Sequence, residues 1–167
     1  IHGWFGNGEI LNIGIATGKK SGIVVLDVDG EAGEQSLKRF TEKYGELPLT
    51  VKAISGKGSH FYFKYPDCHI KCSAGKIGQG LDVRGDGGYI VAPGSIHVTG
   101  RVYKLVVGFD LPFAPMPDWI AKTDFTDGND GSEGKEGNDS SEGVSILVGI
   151  LGIDDLSEKT QAAIEDA

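Results

Sequence analysis

The sequence predicts an α+β domain in which a mixed or antiparallel sheet of short strands is accompanied by few helices. Three observations lead there. Residues 23–26, Ile-Val-Val-Leu, are consecutive β-prone aliphatics with no polar alternation, the pattern of a strand buried on both faces. One helical period follows, with Leu37, Phe40 and Tyr44 at i, i+3 and i+7. Beyond it the chain divides into short apolar runs punctuated by Gly and Pro, as strands joined by turns would be.

Taken in order, residues 12–17 predict a first short strand, and Gly18-Lys19-Lys20-Ser21-Gly22 turns it into the central one. That turn superficially resembles a phosphate loop. It lacks the Gly-x-x-x-x-Gly-Lys-Ser/Thr spacing and enters a strand, so it reads as a hairpin turn with incidental anion contact. The helix covers residues 32–44 and stops at Gly45. Pro48 separates it from a strand at 50–54. The connection Ser55-Gly56-Lys57-Gly58-Ser59-His60 leads to another strand at 61–65. Residues 66–80 read as loop, and 81–83, 89–92 and 102–107 as strands. Pro112, Pro115 and Pro117 close the globule, with Trp119 as a docking residue.

With 167 residues and 39% apolar content, the chain is long enough for one domain with a real core. No run reaches the length of a membrane span, and Ile-His-Gly-Trp-Phe is no signal peptide. Two cysteines are too few for a disulfide framework and fit a reducing, cytoplasmic compartment. The net charge of −8 argues against nucleic acid until it is divided. Residues 1–120 carry 13 Lys and Arg against 12 Asp and Glu, whereas residues 121–167 carry 3 against 12. Residues 123–143, rich in Gly, Ser, Asp and Glu and nearly repeating Gly-Asn-Asp-Gly-Ser-Glu-Gly, read as an acidic linker. The expected organisation is therefore a domain over residues 1–122, the linker, and a partly helical segment over 144–167 with Ser157 as its helix start.

The central strand ends Asp27-Val28-Asp29. Alternation places Asp27 and Asp29 on one face, where two like charges repel unless a cation lies between them. The bland alternative is an acidic turn made by Asp29 and Gly30. Two further pieces could converge on the pair. The glycine-rich connection offers free N–H groups, the hydroxyls of Ser55 and Ser59, Lys57, and the imidazole of His60 for a phosphate. Leu81-Asp82-Val83-Arg84 sets a carboxylate and a guanidinium on one strand face, and an Arg fork suits a polyphosphate. Three carboxylates can hold two Mg²⁺ or Mn²⁺ ions with a nucleotide's phosphates, so the sum is a phosphoryl or nucleotidyl transfer site. Across residues 50–85, Lys52, Lys57, Lys64, Lys71, Lys76 and Arg84 face only Asp67 and Asp82, an excess that could either bind phosphates or coat solvated strands.

These motifs resemble a family. Asn-Ile-Gly-Ile-Ala-Thr-Gly, then Asp-Val-Asp, then Ser-Gly-Lys-Gly-Ser-His-Phe-Tyr-Phe, then Leu-Asp-Val-Arg-Gly-Asp-Gly-Gly-Tyr-Ile-Val-Ala-Pro-Gly-Ser is similar to the bifunctional DNA primase/polymerase domain of the archaeo-eukaryotic primase superfamily. The resemblance runs over about residues 4–120. It implies an RRM-like catalytic core of the archaeo-eukaryotic primase type, making or extending primers from nucleoside triphosphates on a single-stranded DNA template. It also implies a helicase region in the same parent polypeptide and a phage, plasmid or prophage setting. Carried over, Asp27, Asp29 and Asp82 are the catalytic metal carboxylates and His60 the nucleotide's phosphate ligand; Arg84, Ser55, Lys57 and Ser59 join it by proximity. Relatives begin some tens of residues earlier, so an N-terminal part of the catalytic unit is expected to be missing. Gly58 stands where the superfamily often has serine, a hydroxyl expected from Ser59 or Ser55.

Val-Val-Leu-Asp-Val-Asp-Gly is also how haloacid dehalogenase-like phosphatases begin, with Asp27 as nucleophile, although that leaves the histidine connection unexplained. A non-catalytic nucleotide- or DNA-binding module is the third class. Cys68, His69 and Cys72 supply three potential zinc ligands and would need a distant fourth such as His97, so free cysteines are expected. His97 reads as a surface residue and Asp86 as part of a turn. Tyr62, Tyr89 and Tyr103 could stack on bases, but read first as strand-packing aromatics.

Overall fold

The computed structural model describes residues 11–122 and the backbone of 145–149. The predicted linker and the helical start at Ser157 lie outside these residues, as does Trp4. Two sheets form, the larger mostly antiparallel and the smaller mixed, with one parallel and one antiparallel pairing. The larger runs β5-β6-β2-β4-β3-β8, with β9 beside β4; the smaller is β10-β1-β7. In chain order the elements are β1 (Leu11–Ala16), β2 (Ile23–Asp29), α1 (Gly30–Tyr44), β3 (Lys52–Ile54), β4 (Gly58–Lys64), β5 (Ser73–Gly78), β6 (Leu81–Arg84), β7 (Tyr89–Val91), β8 (Lys104–Val107), β9 (Ala114–Pro115), α2 (Asp118–Ala121) and β10 (Ser145–Gly149). This is the expected α+β class with few helices.

The strand β2 is the axis of the larger sheet, and residues 23–28 are buried, as an all-aliphatic run requires. Its even positions Val24, Leu26 and Val28 face one core with Phe63, Leu81 and Val83, under Leu37 and Phe40 of α1. Its odd positions Ile23 and Val25 face a second core with Tyr62, Ala53 and the small sheet's Ile15 and Ile90. The period-2 geometry therefore assigns one face of β2 to the helix and the other to the second sheet. Asp27 and Asp29 continue the odd series.

Four expectations change in the structure. The turn at 18–22 closes only one bridge, Gly18 to Ile23, and β1 and β2 then part into different sheets. The anion its backbone meets is internal: Lys19 N–H donates to Asp86 Oδ1 (2.9 Å). The segment read as loop before Gly80 contains β5, an edge strand irregularly paired with β6. Ser73-Ala-Gly-Lys-Ile-Gly has little β-propensity, and pairing supplies what the residues lack. The connection after Ser55 is shorter than expected, since residues 58–60 already belong to β4. Finally, α1 starts at Gly30 and presses on the sheet with Gly33 and Ser36, whereas Tyr44 is half exposed and stacks on Phe40. Gly45 ends the helix at φ 96° with its N–H on Thr41 O, and Trp119 docks on Phe40 with ring centroids 4.9 Å apart.

Candidate active site

Register brings the predicted pieces together. The antiparallel partner of Asp27 on β4 is His60, and its partner on β6 is Asp82. One pair back, Val25 is matched with Tyr62 and Arg84. Directly opposed residues share a face, so Asp27, His60, Asp82 and Arg84 form one row across three strands on the face away from α1. The histidine is thus a strand residue, aimed by the sheet and not by a flexible loop.

A single nitrogen bridges the two carboxylates. Arg84 Nη2 donates to Asp27 Oδ2 at 3.2 Å and to Asp82 Oδ2 at 3.1 Å. Asp82 Oδ1 accepts a further bond from Gly75 N–H at 2.7 Å, reached because β5 bulges and Gly75 takes φ 64°. Gly75 is a residue that sequence reasoning missed. Its only signal was a glycine six residues before the Leu-Asp-Val-Arg motif. Asp29 is exposed, occupies the N-cap position of α1 and makes no capping bond with its side chain, which leaves its carboxylate available beside Asp27.

The electrostatics follow from burial. Asp27 is only 7% exposed, and desolvation, reinforced by the charge of Asp29, raises its carboxyl to about 6 against the opposing pull of Arg84. His60 is 4% exposed, and burial, with Arg84 adding to it, lowers its imidazole to about 4. His60 is therefore neutral at pH 7. The 3.4 Å approach of its Nε2 to Asp27 Oδ1 is accordingly a contact with an uncharged ring and not an ion pair, and Asp27 Oδ1 makes no hydrogen bond among the described residues. His60 Nδ1, Tyr62 Oη and Arg84 Nε are likewise buried without partners there. Four unsatisfied polar atoms in one row are an uncommon concentration, and they gather where a ligand would satisfy them. Burial, with Asp27 and Tyr103 nearby, raises the Tyr62 hydroxyl well above its usual range.

Other predicted residues do not converge. Ser59 pairs with Val28 and faces α1, where it lines a cavity of about 490 Å³ with Leu37, Lys52 and Phe61. Ser55 Oγ accepts the N–H groups of Gly58 (2.8 Å) and Lys57 (3.3 Å), so its hydroxyl closes the turn. Lys57 is exposed; its carbonyl accepts Gly30 N–H at 3.2 Å. The absence of serine at position 58 has a steric cause: a Cβ there would strike the Val28 carbonyl oxygen. Of the basic residues between 50 and 85, Arg84 alone joins the row, while Lys52 lies over the Phe61 ring.

Cys72, His69 and Asp86 form a separate cluster at the β5 end of the sheet. His69 Nδ1 meets Asp86 Oδ2 at 2.7 Å, Tyr65 donates its hydroxyl to the same oxygen, and Gly85 N–H donates to Cys72 Sγ at 3.3 Å. His97 lies at the other end, before β8. Asp86 is thus a fastener for three loops; its carboxyl, in spite of some desolvation, is lowered by the Tyr65 and Lys19 hydrogen bonds. Among the described residues no group of three His, Cys, Asp or Glu side chains is closed around a metal position, and no helix is long and apolar enough to cross a membrane.

The fold and this row together define an α+β domain whose polar centre lies on the sheet face opposite its main helix. Residues 1–119 match the family model described as bifunctional DNA primase/polymerase, N-terminal, and the chain belongs to that family. The family is one of primase and polymerase domains, so nucleotidyl transfer with nucleotide and DNA substrates is what membership implies. No curated protein matches the chain.

Proposed function

We propose that this domain carries out template-dependent nucleotidyl transfer, as a DNA primase, a DNA polymerase or both, by a two-metal mechanism. The observation that carries the reading is the row itself: two strand-borne carboxylates, Asp27 and Asp82, bridged by one cation and faced by a neutral buried histidine. The donor set suits Mg²⁺ or Mn²⁺, since Asp27, Asp29 and Asp82 offer hard oxygens, Asp27 Oδ1 makes no hydrogen bond among the described residues, and Arg84 Nη2 already stands as a positive charge between two of them. Bound there, the metals would activate the attacking hydroxyl and neutralise the leaving pyrophosphate.

The protein groups divide the remaining work. Arg84, freed from the carboxylates by exchange with metal, is positioned to pair with phosphate oxygens through its fork. His60, uncharged near neutrality, acts as a hydrogen-bond donor to a phosphate and not as a proton source. Gly75 N–H keeps Asp82 turned toward Asp27. Ser55 and Lys57, which lie outside the row, act through the turn, and Ser59 lies on the helix side of the sheet. The same proposal includes nucleoside triphosphates and a single-stranded DNA template as substrates, a cytoplasmic setting in replication of a phage, plasmid or prophage-like element, and a helicase region in the parent polypeptide.

Labelled-nucleotide incorporation on a primed and an unprimed single-stranded template, with Mn²⁺ or Mg²⁺, tests it. Incorporation should vanish in Asp27→Ala and Asp82→Ala, and His60→Ala should weaken triphosphate binding with the fold intact. Triphosphate affinity unchanged in Asp27→Ala with metal present would overturn the assignment. Binding without turnover would favour the non-catalytic module, and a phosphorylated Asp27 the phosphatase.

A further inference from the structure

We infer that His97 is a second imidazole ligand to the nucleotide's triphosphate, standing on the wall of the site opposite Arg84; this rests on the nucleotidyl-transfer reading above. The polar row does not stop at His60. Its partner on β3 is Ala53, itself buried, and on this side the His60 ring meets Tyr103, which in turn meets His97. Ring centroids run from His60 to Tyr103 in 5.6 Å and from Tyr103 to His97 in 5.9 Å. Two ring widths are a span that an extended triphosphate can cover.

The fold fixes His97 unusually well for a residue in a surface loop. Asn12, 4% exposed, gives its amide to Ile96 O (2.7 Å) and takes Ile96 N–H (2.8 Å), clamping both backbone groups beside the histidine. Ser95, also buried, accepts Ile13 N–H at 3.1 Å. His97 N–H closes onto Arg101 O at 2.7 Å, and Arg101 reaches across to Gly56 O at 3.2 Å. The imidazole lies so close on Gly56 that a Cβ there would come within 2.5 Å of His97 Cγ. Buried polar groups spent on a short exposed hairpin flanked by the solvent-facing Val98 and Val102 are not explained by core packing.

The same contacts set the tautomer. Thr99 N–H donates to His97 Nδ1 at 3.2 Å, and its hydroxyl lies 2.9 Å from the same atom, so Nδ1 is the acceptor and the neutral ring carries its proton on Nε2. His97 therefore carries a donor on Nε2, and its ring and the Arg101 guanidinium both lie against Gly56. That arrangement suits the outer phosphates of a triphosphate, while His60 and the carboxylates serve the inner one.

The test is calorimetric titration of the 167-residue chain with a non-hydrolysable deoxynucleoside triphosphate and Mn²⁺, repeated with the matching monophosphate. His97→Phe keeps a ring against Gly56 and Tyr103 but removes the donor; His97→Gln restores a donor. We expect His97→Phe to weaken triphosphate binding roughly tenfold or more, the size of one hydrogen bond to a charged group, to leave monophosphate binding unchanged, and His97→Gln to recover part of the loss. If His97→Phe melts early, His97→Ala is read in its place. Wild-type triphosphate affinity in the donor-less variant, or equal loss for both nucleotides, overturns the inference alone. A wild-type chain that binds no triphosphate, or an Asp27→Ala chain that binds it normally, removes the reading beneath it as well.

Discussion

Replacing Asp27 by Asn should make the metal-free protein more stable while abolishing its chemistry. The carboxyl titrates near 6 in the folded chain against 3.8 unfolded, a difference of about two pH units. At about 1.4 kcal/mol per unit, the ionised group opposes folding by about 3 kcal/mol above pH 6. The sign follows from proton uptake. Between 3.8 and 6 the folded state holds a proton that the unfolded chain has lost, so this contribution falls as pH rises through that window. His60 acts in the opposite direction. Its folded value near 4 lies below the unfolded 6.5, so its contribution is present above 6.5 and is lost as pH falls toward 4. Between pH 4 and 6 the two slopes nearly cancel in the wild type. In Asp27→Asn only the histidine slope remains, so the variant should gain up to about 3 kcal/mol at pH 7.5, roughly 6–12 °C in melting temperature, and lose it steeply below pH 6. The lost charge on Arg84 trims the gain, because one of its two carboxylate partners becomes neutral. Thermal melts in chelator at pH 4.5, 6 and 7.5 measure this. Added Mn²⁺ should raise the wild-type midpoint and leave that of the variant unmoved. A variant less stable than wild type at pH 7.5 in chelator would refute the claim that Asp27 is a buried charge awaiting a cation.

Two glycines test the frame of the site. Gly75→Ala forces a side chain onto φ 64°, where open space surrounds the Cβ but the backbone resists; it should lose about 1 kcal/mol and, by loosening the bond to Asp82, bind Mn²⁺ several-fold more weakly by calorimetry. Gly58→Ser drives its Cβ into the Val28 carbonyl; a loss of about 3 kcal/mol in urea unfolding is expected, and a neutral result would mean that β2 and β4 separate more readily than their register suggests.

The chain's own order made much of this legible. Four aliphatics in a row announced a doubly buried strand, and alternation alone put Asp27 with Asp29 on one face of their strand and Asp82 with Arg84 on one face of theirs, because the period of a strand is two whatever surrounds it. The helix was visible in its apolar spacing and its closing glycine. What only the tertiary structure decided was pairing. Register sets His60 and Asp82 against Asp27, sends Ser59 to the helix side, and makes β5, with almost no β-propensity, a strand that delivers an N–H to Asp82. Burial, a property of the whole fold, decided that Asp27 is poised near 6 and that His60 is neutral. His97 read as an ordinary surface residue because what fixes it, Asn12 and Gly56, lies 85 and 41 positions away. Local sequence specifies which groups a strand can present; long-range pairing alone specifies which groups meet.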